Sequence, residues 1–264
     1  MKRSVTALLV ALCMGAMPAL AQEADDWEFE QDPARNLSVA AARYEGGTAV
    51  IVQCQAGAFT AALVGLPPTT EELVLNASRA DGRRDIQAWR PMGGDGVFLS
   101  TLAPRDVRFL RGGGGYTVRS AEGRRPAFRA DFDLPSGSAN LDRVLSACGW
   151  PVVDDRDQLR RVADDEIAFN RPGSRAARES ERAMAEAPLT PRPPAAAENY
   201  ISCIVRDLRL RDCRADHQLT FTGPGSETAR AIEGTRIYAD DQASVEGGVV
   251  YLNLKVVVDH IAIP

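Results

Sequence analysis

Over most of the first half of the chain, apolar and polar positions alternate in short runs, a period of two that predicts strands rather than helices. "TAVIVQCQ" (Thr48–Gln55) and "AFTAALVGL" (Ala58–Leu66), separated by Gly57, read as an early hairpin. "EELVLNAS", "RDIQAWRPM", "GVFLSTL", "YTVRS" and "AFRADFDL" follow at short intervals, broken by "ADGRR", "MGGDG" and "RGGGG". Short strands punctuated by Gly-rich turns predict a mainly antiparallel β domain over residues 25–153, a sandwich or a barrel. The period changes in "PSGSANLDRVLSACGW", where Leu141, Val144 and Leu145 form one helical stripe. Ser136 or Ser138 can cap the start of that closing helix, and Gly149 suits its stop.

From Asp154 to about residue 197 the pattern dissolves into dense mixed charge and then "APLTPRPPAAAEN". Pro188, Pro191, Pro193 and Pro194 favour extended polyproline conformation, so residues 154–197 are expected to be a charged, Pro-rich linker. Alternation returns over residues 198–264. "YISCIV" and "LRLRDCRA" read as strands joined by a turn near Arg206 and Asp207, "GSETARAIEGT" as a helix starting near Ser226, "RIYA" as a strand, and "GGVVYLNLKVVVDHI" as a long final strand. The order β-β-α-β-β predicts a small α+β module with its helix on one face of an antiparallel sheet.

The run "ISCIVRDLRLRDC", the polar loop and Ala-containing helix after it, the "RIY" strand and the Gly pair opening "GGVVYLNLKVVV" resemble the C-terminal domain of TonB-type energy transducers. Cys203 and Cys213 match cysteines seen in some members of that family, and the Pro-rich stretch resembles its periplasmic spacer. The resemblance covers about residues 195–264 and implies the fold of that segment and a way of engaging partners. Two family features differ: "AAENYIS" stands in place of a Tyr-Pro pair, and "TGPGSE" in place of Gly-Phe-Gly.

The first residues set the compartment. Met1-Lys2-Arg3 is a positive n-region, Val5 to Leu12 an apolar core, and Ala19-Leu20-Ala21 a small-x-small cleavage site. Residues 1–21 therefore read as a secretory signal cleaved near Ala21, and the mature chain as periplasmic or secreted, with no transmembrane segment. Four cysteines would remain, an even number in a compartment where disulfides persist. Proximity favours Cys203 with Cys213, which leaves Cys54 to pair with Cys148 and pin the closing helix to an early strand. There is no Cys-x-x-Cys to suggest zinc or a redox pair.

The chain has 264 residues, 45% hydrophobic and 25% charged, which suits a core-forming protein. Loss of Lys2 and Arg3 takes the formal charge from -5 to -7, because the first 21 residues hold no Asp or Glu. So acidic a chain is a poor nucleic-acid binder. Lysine occurs only at positions 2 and 255, so nearly every cation is arginine. Ser-x-x-Lys chemistry is thereby excluded, and Lys255 is the one Schiff-base candidate in the mature chain.

Enzyme signatures are thin. Ser226 in "GPGSE" lacks the final glycine of a nucleophile elbow and suits a helix cap instead. His217 and His260 are the histidines available as bases, and acidic pairs such as Asp154-Asp155 and Asp240-Asp241 read as solvated loops. "RGGGGY" lacks the Lys of a phosphate loop. No metal or cofactor is expected. What remains is interaction: an envelope protein or peptide could add to the edge of the long final strand. Val249, Tyr251, Asn253 and Lys255 on that strand, and Arg209 and Arg211 on the preceding hairpin, are the candidate partner-binding residues. The expectation is a periplasmic, non-enzymatic binding or envelope-associated protein. A membrane-anchored transducer serving outer-membrane transport is the alternative, and an exported hydrolase with an unrecognised site the second.

Overall fold

Nine strands form one antiparallel sheet. They are β1 (Glu28–Asp32), β2 (Leu37–Arg43), β3 (Ala49–Gln55), β4 (Ala58–Val64), β5 (Leu73–Arg79), β6 (Arg84–Met92), β7 (Val97–Ser100), β8 (Gly114–Ser120) and β9 (Arg129–Leu134), in the spatial order β1-β2-β3-β4-β7-β6-β5-β8-β9. The computed structural model describes residues 26–93, 96–120, 127–163, 166–169, 196–218 and 225–257; the expected signal (1–21), the Pro cluster and His260 lie outside them.

The expected mainly antiparallel β domain is present as one connected sheet, whose end strands β1 and β9 have no pairing with each other among the described residues. It curls far enough for Tyr44, which follows β2, to meet Phe132 of β9 with ring centroids 5.4 Å apart. Alternation holds along the strands: Phe59, Ala61 and Leu63 of β4 and Leu73, Leu75 and Ala77 of β5 point into one core with Trp27, Trp89, Phe98 and Tyr116. β1 and β2 escaped the sequence pattern, since "EFEQD" is polar and "LSVAAAR" carries three consecutive alanines.

Two helices close this core. α2 (Ala139–Ala147) buries Leu141, Val144 and Leu145, as its stripe predicts, and Gly149 follows with φ 74°. Its start is held differently from expectation: the Asp26 carboxylate accepts from the Asn140 N–H at 3.1 Å, while the Ser138 hydroxyl accepts from Gly112 N–H at 3.0 Å. α1 (Ala103–Leu110) was not predicted. Pro104 opens it, and Val107 and Leu110 enter the core, yet Arg105, Asp106 and Arg108 are buried as well, because the helix lies between the two sheets. Buried Arg79 donates to the Leu110 carbonyl at 2.7 Å and to the Gly113 carbonyl, satisfying groups that a helix end leaves free.

The predicted linker is corrected at its start. Residues 155–158 form a 3-10 turn capped by Asp154, then β10 (Arg161–Val162) and β11 (Ala168–Phe169) follow; residues 170–195 lie outside the described ones. Charge misled the reading, because these charged side chains are consumed by partners in the fold.

The remaining elements are β12 (Ala196–Arg206), β13 (Arg209–Gln218), α3 (Gly225–Ile232), β14 (Ile237–Tyr238), α4 (Gln242–Val245) and β15 (Val249–Val257). The second sheet runs β10-β15-β12-β13, and β14 pairs with β11 rather than joining it. The turn between β12 and β13 falls on Asp207 and Leu208, both at positive φ. β10 pairs in parallel with β15 through Arg161↔Val249 and Val162↔Val250. Only glycine fits at Gly248, where a Cβ would lie 2.6 Å from Val162 Cγ2. Both expected disulfides form, Cys54–Cys148 across the first core and Cys203–Cys213 across the β12–β13 pair. No helix among the described residues is long and apolar enough to cross a membrane.

Candidate functional site

Where the two sheets meet, the contact is built from arginine. A small apolar cluster, Leu102, Tyr200, Val249 and Tyr251 with Leu159 beside it, marks the seam. Around it Arg105 donates to the Tyr251 hydroxyl at 2.7 Å, Arg90 to the Tyr200 hydroxyl at 2.8 Å, and Arg156 to the Ser202 carbonyl at 2.9 Å, to its hydroxyl and to the Asp212 carbonyl. Arg214 and Arg108 converge on Asp154, and Arg108 also takes Asp157 at 2.5 and 3.0 Å. Guanidinium supplies several donors in one plane, which lets a single residue satisfy carbonyls from both sides.

Beside the seam opens a cleft of about 890 Å³. One wall is the outer face of β6, β5, β8 and β9. Register places Ile86, Asn76, Arg119 and Arg129 in one row across that face and Arg84, Ser78, Thr117 and Asp131 in the next. The inner face carries Leu75, Ala77, Tyr116 and Val118, so strand alternation alone forces the polar set outward. The other wall is the stretch from Asp157 to Arg161.

Six arginines line the cleft (Arg84, Arg105, Arg119, Arg129, Arg160 and Arg161) against two aspartates, Asp85 and Asp157. Their charges are not equally spent. Arg105 grips Asp85 with both prongs, at 3.1 and 3.2 Å, and its guanidinium lies 5.0 Å from the Tyr251 ring. Burial alone would lower its pKa, but the Tyr251 oxygen and Asp85 outweigh it and the pKa is raised, so Arg105 stays charged. Arg129 pairs with Asp131, whose pKa is lowered by that hydrogen bond and by Thr117, and Arg160 pairs with Glu166. Arg161 donates through one nitrogen to the Ile86 carbonyl, lies 5.5 Å from the Tyr251 ring and acts electrostatically on the buried Asp106, with no direct ion pair to a carboxylate among the described residues. Arg84 and Arg119 are exposed, and their side chains have no hydrogen-bond or ion-pair partner among the described residues. Arg119 also stands, in register, opposite Arg129, whose own charge is taken by Asp131 at 2.9 Å.

Behind this wall Asp106 is fully buried and hydrogen-bonded to Ser100 Oγ at 2.5 Å. Burial first and the neighbouring Asp85 second push its pKa up to about 7, against the pull of Ser100, Arg105 and Arg161. The cleft continues into a second lobe of about 630 Å³, sharing Arg84, Asp85, Arg105, Asp157 and Gln158 with the first. Apart from Arg84, the cations there are matched: Arg83 by Asp81, Arg105 by Asp85, Arg108 by Asp157, Arg111 by Asp142.

The structure scatters the sequence-predicted partner residues. Val249 and Tyr251 are buried in the seam, because β10 and the first sheet cover that end of β15. The free-edge reading is thus corrected there. Asn253 is exposed and donates to the Tyr200 hydroxyl at 3.2 Å; Lys255 stands opposite Glu198 in register, its side chain outside the described residues. Arg209 and Arg211 are exposed on β13, away from the cleft, with Arg209 donating to the Gly234 carbonyl at 2.9 Å. Tyr251 lies behind the cleft, against its lining residues Arg105 and Arg161. Sequence reading missed Arg84, Arg105, Arg119, Arg160 and Arg161, although the outward positions of "RDIQAWRPM" and "YTVRS" carried a usable signal. Asp85 and Asp157 are both held by arginine, and among the described residues no group of three or more His, Cys, Asp or Glu is placed to hold a metal ion. Comparison with protein-family models, with curated proteins and with solved structures finds no match to this chain.

Proposed function

We propose that this chain is an exported, non-enzymatic binding protein of the cell envelope and that the arginine-walled cleft is its ligand site, selective for anions. The observation that carries the reading is the uneven charge balance: Arg84 and Arg119 face one cleft with exposed side chains and no neutralising carboxylate among the described residues. Exposed guanidinium forks left in this state are suited to bidentate contact with carboxylate or phosphate. The two disulfides support a compartment outside the reducing cytoplasm. Residues 198–257 are then a second domain, an interaction module of the TonB C-terminal type. The burial of Val249 and Tyr251 against the first sheet favours a module that frames the cleft over a free transducer head.

The test is calorimetric titration with polyphosphate, polyglutamate and polygalacturonate, each at low and at physiological salt, with dextran as the neutral control. At least one polyanion binds, more weakly at higher salt, and Arg84→Glu with Arg119→Glu weakens it about a hundredfold while leaving the melting temperature unchanged. Equal affinity for dextran, or no effect of the double variant, removes the reading.

A further inference from the structure

We infer that the ligand is a linear acidic polysaccharide that runs through both lobes of the cleft; this rests on the anion-site reading above. Three features of the cleft point to it.

The first is what the wall cannot offer. β5 lies between β6 and β8 and β8 between β5 and β9, so the middle of the wall is sheet face; β7 pairs with β6 only over Trp89–Met92, and β9 is the last strand of the order. The backbone groups of β5 and β8 are spent on their neighbours. An extended acidic peptide laid across these two strands needs partners for its own N–H and C=O groups, and there the wall has only side chains to give. A sugar chain carries hydroxyls instead, which side chains satisfy.

The second is what the wall does offer. Asn76, Ser78 and Thr117 are interleaved in register with Arg84 and Arg119, and Gln158 faces them from the opposite side. Arg84 and Arg119 lie on strands separated by β5, so they stand roughly 10 Å apart across the sheet. Sparse cations separated by neutral hydrogen-bonding groups match a polymer whose charges are separated by hydroxyl-bearing rings. A polyphosphate, charged at every unit, would leave most of its charge unmatched.

The third is length. The two lobes, of about 890 and 630 Å³, meet at Arg84, Asp85, Arg105, Asp157 and Gln158, which makes one groove with a waist. Apart from the shared Arg84, cations in the second lobe are already paired, and its exposed lip is Val153, 67% accessible. The chain would be gripped by charge in the first lobe and continue through the second on hydroxyl and ring contacts.

The experiment is calorimetry on the full mature chain with galacturonate oligomers of increasing length, compared with polyglutamate of equal charge and with polyphosphate. Affinity rises with oligomer length until both lobes are filled and then levels, and polyglutamate binds about tenfold more weakly or worse. Val153→Glu, a surface change in the second lobe, lowers affinity for long oligomers about tenfold and leaves the shortest binders unaffected. Asn76→Ala with Thr117→Ala weakens galacturonate while polyphosphate is unchanged. Affinity that is independent of length, together with a silent Val153→Glu, overturns the spanning chain while the anion site stands. Polyglutamate binding as well as galacturonate overturns the polysaccharide class, and binding by no anion at all removes the site itself.

Discussion

The core of the first sheet and the seam between the sheets solve the same problem with opposite materials. In the core, Trp27, Leu75, Trp89, Phe98 and Leu110 meet as large apolar side chains, and Cys54–Cys148 closes a separation of 94 residues. In the seam, Arg90, Arg105, Arg108, Arg156 and Arg214 carry the contact and the apolar cluster is small. The first arrangement depends on area removed from water and tolerates volume-conserving exchange. The second depends on directional donors, so losing one guanidinium leaves buried carbonyls without partners. That difference teaches why the cleft sits where it does: an arginine-built seam leaves cations at its margin, and those at the open end become available to a ligand.

The largest effect sharpens the contrast from the side of the core. Replacing Cys54 and Cys148 with alanine is expected to cost about 4 to 5 kcal/mol, against about 2 to 3 for Cys203 and Cys213, whose separation is 10 residues. Urea unfolding of the two double variants measures both, and an equal loss in each would break the argument from chain entropy.

Next comes pH, acting through Asp106. Its folded pKa of about 7 lies above the unfolded value of 3.8, so the folded chain holds the extra proton between those two pH values. The stability contributed by this group is full below about pH 4 and is lost as pH rises through 7, by up to about 4 kcal/mol. Asp106→Asn should remove most of that slope and raise the melting temperature at pH 8. An unchanged slope would mean that the carboxyl is solvated or better paired than its surroundings indicate.

Arg156→Ala tests the seam alone. The side chain is buried and holds the Ser202 and Asp212 carbonyls, so its loss should cost about 3 kcal/mol. Hydrogen exchange should then show lost protection on β12 and β15 with β3 and β5 still protected. Uniform loss across both sheets would show that core and seam unfold as one unit.

The smallest effect lies on the cleft wall. Arg119→Thr removes an exposed cation that stands in register opposite the Asp131-paired Arg129 and should change stability by no more than about 0.5 kcal/mol, while anion binding falls. A clear loss of stability would make Arg119 a structural residue.

Much of the first sheet was legible because alternation is local: "AFTAALV" and "LVLNASR" show in sequence which side faces inward. The closing helix and both cysteine pairs were readable for the same reason, through spacing and compartment. α1 was not, since "APRDVRFL" carries three buried charged residues that belong on no ordinary apolar stripe. Residues 154–162 were read as linker because Asp154, Arg156 and Arg161 are charged, yet each is held by a partner distant in sequence.

The chain by itself thus determined strand periodicity, the closing helix, the cysteine framework and an arginine-rich, lysine-poor surface, all properties of neighbouring residues or of composition. Tertiary structure alone decided which arginines are spent and which are left over. Arg105 meets Tyr251 across 146 positions and Arg156 meets Ser202 across 46, while Arg84 and Arg119 meet no one among the described residues. A charge acquires its role from the groups that the fold brings within hydrogen-bond reach, and nothing in local spacing encodes that distance.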